Sequence, residues 1–111
     1  MNEFRISSAT GEGIMALTID RADIYRLAEV RLTLSGVVTD LDEFIIRLDS
    51  ELGADYDTIL ATPDPNDDLA AATSFRFADP VPPVIFPGDK VLVNWPNAGT
   101  VTWAIDIIGT R

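Results

Sequence analysis

The chain has no cysteine, no histidine and a single lysine, Lys90. Nor does any apolar stretch approach the ~20 residues that a membrane-spanning helix needs. Without thiols there can be no disulfide framework, thiolate nucleophile, zinc ribbon or iron–sulfur site, and a thiol-free chain suits reducing and oxidising compartments equally. Without imidazole, Ser-His-Asp chemistry and the commonest general base at neutral pH are gone, along with most zinc, copper and non-haem iron sites. Carboxylates, Lys90, Tyr25 and Tyr56 remain as titratable candidates. The opening residues 1–8 lack the basic and then apolar layout of a signal peptide, so the expectation is an unprocessed, water-soluble chain.

What is present is acid and alternation. Eighteen acidic residues stand against eight basic ones in 111 residues, a formal net charge of −10. That balance repels phosphate backbones and anionic lipid, so neither nucleic acid nor a membrane surface is an expected partner. At 12.1 kDa the chain is one domain by length, able to bury roughly two thirds of the surface its unfolded form exposes.

Met15, Leu17 and Ile19 alternate with Ala16, Thr18 and Asp20, the period of a strand with one face on a core. Val30, Leu32 and Leu34 alternate likewise, but Tyr25 and Leu27 just upstream have the opposite parity. A bulge near Ala28 reconciles the two phases. The stretch 39–53 reads two ways. Leu41, Phe44, Ile45, Leu48 and Leu52 fall at helical spacing between the capping candidates Thr39 or Asp40 and Gly53, whereas Phe44, Ile46 and Leu48 also alternate with Glu43, Arg47 and Asp49. The adjacent pair Ile45-Ile46 favours the strand, placed at about 43–49.

Residues 56–62 read as a strand, and Pro63 and Pro65 then forbid regular pairing through the loop that ends at Asp68. One helical turn is expected over 69–72, and Phe75 and Phe77 share a face. Val84, Ile85 and Phe86 lie in a proline-rich segment with edge character. Val91, Val93 and Trp95, then Val101, Trp103, Ile105 and Ile107, predict a β-hairpin closed at 96–99 with both tryptophans on its buried side. Seven or eight short strands at roughly 8–12-residue spacing predict an all-β chain, an antiparallel β-sandwich of jelly-roll type. Residues 1–12, with Ser7-Ser8-Ala9-Thr10-Gly11, predict a flexible lead or docking arm ahead of a single sandwich domain over 13–111.

Each candidate site carries a plainer alternative. Asp64, Asp67 and Asp68 are calcium candidates because calcium takes six to eight hard oxygen ligands, yet the segment has neither the central Gly nor the distal Glu of an EF-hand, and aspartates of this kind commonly form turns. Paired carboxylates could hydrolyse glycosides only if they flanked a groove ~5–9 Å wide, for which a sandwich of this size has little room. No catalytic residue and no cofactor is therefore expected. Tyr25 and Tyr56 are glycan-stacking candidates, whereas Trp95 and Trp103 have core parity. Leu92 and Ile45, on faces that parity gives to solvent, and Ile108 beyond the expected strand end would form an apolar patch suited to a protein partner.

The segments 29–34 (EVRLTL), 43–50 (EFIIRLDS) with Gly53 and 56–58 (YDT), and 88–97 (GDKVLVNWPN) with Thr102-Trp103 resemble a group of small all-β proteins encoded by tailed bacteriophages. The resemblance covers about 29–107 and rests on strand and turn residues, with no catalytic signature. It implies a virion component of head-decoration, head-fibre or tail-tip type at the particle exterior, made in the host cytoplasm. Its partners would be capsid or tail proteins; the apolar patch adds the expectation of further copies of this chain, a trimer or a ring of higher symmetry. It also implies a strand over 43–49. A carbohydrate-binding module reading a receptor, with or without calcium, is the alternative.

Overall fold

A computed structural model describes residues 3–35, 44–61, 72–77, 82–97 and 101–111. These form nine strands: β1 (Glu3–Gly11), β2 (Met15–Asp20), β3 (Tyr25–Leu34), β4 (Ile45–Asp49), β5 (Thr58–Ala61), β6 (Ala72–Arg76), β7 (Val84–Ile85), β8 (Lys90–Trp95) and β9 (Trp103–Thr110). A single 3-10 turn, Ala54–Tyr56, joins β4 to β5.

The strands make two antiparallel sheets, one ordered β1-β9-β3-β6 with β7 continuing the ladder on β3, the other β2-β8-β4-β5. The pairings nest: β1 with β9, β2 with β8, β3 with β6 and β7, β4 with β5. Such nesting is one long hairpin with its tip at β4–β5. Rolling it up adds the contacts β3–β9 and β4–β8 and closes a jelly roll.

Both sheets turn their apolar residues onto one core. Leu27, Val30, Leu32 and Leu34 of β3 and Trp103, Ile105 and Ile107 of β9 face Met15 and Ile19 of β2, Ile46 of β4 and Val91, Val93 and Trp95 of β8. Phe44, just before β4, is fully buried; its ring stacks on Phe75 at 5.3 Å between centroids and meets Trp95 edge-on at 6.5 Å. The expected parity change in β3 is a register shift between Leu27 and Glu29, with Ala28 as the extra residue. A second shift, between Arg5 and Ser7 of β1, flanks the same stretch of β9 from its other side.

Residues 45–49 are a strand, paired on both sides by β5 and β8, which settles the ambiguity against the helix. Two other expectations are corrected. Residues 3–11 are no lead: β1 pairs with β9 along its length and brings the strand count to nine. At its end only a glycine fits, since a Cβ on Gly11 would stand 2.6 Å from Cζ2 of Trp103. The start of β1 is held by Phe4, whose ring packs against two guanidinium groups, Arg111 at 4.5 Å and Arg21 at 5.2 Å from its centroid, both paired to Asp23 at 2.8 Å.

The second correction concerns β8 and β9, which are not a hairpin. They lie in opposite sheets, β8 between β2 and β4 and β9 between β1 and β3. The tryptophans share a buried side because both sheets face one core. The turn expected over 69–72 lies outside the described residues except for Ala72, where β6 begins.

Candidate functional site

Two surface depressions stand out. The first crosses the outer face of β1, β9 and β3, with a volume of about 460 Å³ and Arg5, Ser8, Arg31 and Asp106 on its walls. Arg5 grips Asp106 through both carboxylate oxygens, Nε at 2.7 Å and Nη2 at 3.1 Å, and the Ser8 hydroxyl donates to Oδ1 at 2.6 Å. These bonds, the Ser8 hydroxyl first and Arg5 second, hold the Asp106 carboxyl below the usual carboxylate range. Arg31 in turn pairs with Glu29 at 3.1 Å. The network fastens β1 to β9, and it keeps Asp106 ionised and engaged rather than poised to take a proton.

The second depression is apolar and is built from loops. Leu48 at the end of β4, Leu52 in the following loop, Tyr56 in the 3-10 turn, and Val84 and Phe86 of and after β7 line a groove of about 340 Å³. Leu52, Tyr56 and Phe86 are 73%, 59% and 57% exposed, values unusual for large apolar side chains that sit together.

Asp89 holds the walls of this groove in place. Its side chain is buried and accepts two backbone N–H bonds, from Glu51 at 2.9 Å and from Phe86 at 3.4 Å. One carboxylate thereby joins the 50–52 loop to the 86–89 turn. Gly88 has φ 94°, a left-handed conformation that an L side chain resists, and a Cβ there would run into the Glu51 carboxylate. On the far side, Asp57 accepts from the Ser50 N–H at 2.9 Å and the Tyr56 N–H bonds the Gly53 carbonyl at 3.0 Å, which shapes the loop that presents Leu52 and Tyr56.

The two glycan candidates part company here. Tyr56 is exposed in the apolar groove, whereas Tyr25 is buried, 3% exposed, because the Ala28 bulge lets the start of β3 keep facing the core. Its ring is not available for stacking on a ligand. Its hydroxyl has no hydrogen-bond partner, and burial, reinforced by Asp23, Asp20 and Asp89 against the opposing effect of Arg21, pushes it up to about 12. The calcium candidates Asp64, Asp67 and Asp68 lie outside the described residues. Among the described residues, no three acids come together in a way that could hold a metal ion.

The apolar patch also sits elsewhere than expected. Ile45 and Leu92 are half-buried on the outer face of β4 and β8, and Ile108 is buried within β9, which runs on to Thr110. Nothing local in the sequence links Leu52 to Phe86, since one lies near the end of the ambiguous stretch 39–53 and the other far along the chain in the proline-rich edge segment. A large apolar side chain beside Gly53, or ahead of Pro87-Gly88, is itself the missed signal, since turn residues are normally small or polar. Comparison of the chain with protein-family models, with curated proteins and with solved structures finds no match.

Proposed function

We propose that this chain is a non-enzymatic structural component of a tailed-bacteriophage particle, a jelly-roll module that docks on a capsid or tail protein through the Leu52–Tyr56–Phe86 groove. The observation that carries the reading is the groove itself: three large apolar side chains, each more than half exposed, two from the β4–β5 loop and one from the β7–β8 turn, which the buried Asp89 ties together. Water-facing clusters of this kind are stabilised when a partner covers them. The jelly-roll topology, which recurs in viral coat domains, and the net charge of −10, which keeps a particle-surface subunit soluble and off packaged DNA, support the same role.

Particle incorporation tests it. Tagged wild-type chain should cosediment with assembled virions, and Phe86→Ser, at an exposed side chain and with an unchanged circular dichroism spectrum, should not. A wild-type chain absent from purified particles sinks the reading.

One observation favours a second reading, the exposed ring of Tyr56 beside Phe86, which is the kind of platform a sugar stacks on. Glycan-array binding that vanishes with Tyr56→Ala would move the assignment to a carbohydrate-binding module.

A further inference from the structure

Charge around the groove names its partner more closely. Glu51 and Asp89 line it, the exposed Asp55 and Asp57 flank Tyr56 in the chain, and Asp49 ends the strand that leads into it. Against these five acids stand Lys90, cross-strand from Asp49, Arg47 two residues before Asp49, and Arg26, the cross-strand partner of Val84, so acid still outnumbers base around the groove. An apolar floor with an acidic rim is complementary to a segment that carries large apolar side chains between lysines or arginines.

A second copy of this chain fits poorly. Five of its eight cations are already committed to its own acids: Arg5 to Asp106, Arg21 and Arg111 to Asp23, Arg31 and Arg76 to Glu29. Two copies meeting groove to groove would set Glu51, Asp55 and Asp57 against their own equivalents, which costs association energy at the rim. We infer that the groove receives a basic, apolar segment of a different protein, with its apolar side chains seated against Leu52, Tyr56 and Phe86 and its cations against the acidic rim.

This inference rests on the docking reading but is tested apart from particles. The purified full chain is used to select binders from a random library of 12-residue peptides, and the selected peptides are titrated by fluorescence polarisation. Expected are peptides enriched in Lys or Arg together with Leu, Ile, Phe or Trp. Their affinity should fall roughly tenfold or more in Phe86→Ser and in Leu52→Ser. It should fall by about threefold in the Glu51→Gln/Asp55→Asn double variant, and weaken as salt is raised.

Selected peptides without cationic bias, or affinity unchanged by both serine variants, overturn the inference. So does self-association, seen at sedimentation equilibrium, that Phe86→Ser abolishes, because the occupant would then be a second copy. Failure to incorporate into particles, with the peptide results as expected, removes the virion role and leaves the partner chemistry standing.

Discussion

The side-chain amide of Asn97 donates a hydrogen bond to the carbonyl oxygen of Gly13 at 3.0 Å, linking two segments that each pass from one sheet to the other. One connects β1 to β2, the other β8 to β9. The same Gly13 carbonyl accepts from the indole N–H of Trp103 at 3.0 Å, and Asn97 also closes its own loop by donating to the Val101 carbonyl and accepting from the Val101 N–H. At φ 53° and 2% exposure, Asn97 occupies a left-handed position that asparagine tolerates better than most residues.

Asn97→Ala should therefore destabilise the fold by about 2–4 kcal/mol, combining unsatisfied buried groups with left-handed strain. Asn97→Gly, which relieves the strain and still lacks the amide, should recover only part of that loss. Urea denaturation of the three proteins checks this, and a glycine variant as stable as wild type would show that the bonds contribute nothing.

The N-terminal strand gives a sharper test, because sequence and structure disagree about it. A flexible lead could be removed without consequence. Removing 1–11 instead strips β9 of one neighbour along its length and uncovers Trp103 and Ile105, so the truncated chain should lose at least about 3 kcal/mol or fail to fold cooperatively. Circular dichroism during thermal melting distinguishes the two cases.

That disagreement shows which parts of the fold local pattern can carry. Parity reports which side of a strand faces the core, and it placed Val91, Trp95, Trp103 and Ile105 inward and put the bulge at Ala28. It does not report which strand lies alongside. In a sandwich both sheets face one core, so β8 and β9 have the parity of a hairpin while pairing with β2 and β4, and with β1 and β3. In β1 the alternation is hard to read because the strand carries a register shift between Arg5 and Ser7 and ends on Gly11, where the bulk of Trp103 leaves no room for a side chain. The groove was illegible for another reason: its residues converge only after the long hairpin has rolled up.

Gly11→Ala tests that steric account directly. With Trp103 Cζ2 2.6 Å from the new methyl position, the indole must shift, costing about 1–3 kcal/mol and altering the near-ultraviolet dichroism of the tryptophans. Gly13→Ala, whose Cβ would meet nothing within 4 Å, is the matched control and should stay close to wild type. Equal effects from the two substitutions would remove the packing explanation.

Tyr25 provides a prediction with a pH signature. Its buried hydroxyl has no partner, so Tyr25→Phe removes a desolvated polar group without breaking a bond and should stabilise the protein by about 1 kcal/mol at neutral pH. The titration adds a second effect. In the unfolded chain tyrosine ionises near pH 10, whereas in the fold burial raises Tyr25 to about 12. The folded state thus holds the proton more tightly. Below about pH 10 both states keep the proton and stability does not depend on it; as pH rises toward 12 the unfolded chain ionises first and stability is lost. Wild-type stability should fall across that window more steeply than that of Tyr25→Phe, and the gap between them should widen with pH. Denaturation midpoints at pH 8, 10 and 11 measure it, and parallel curves for the two proteins would mean that Tyr25 is solvated or bonded in the fold after all.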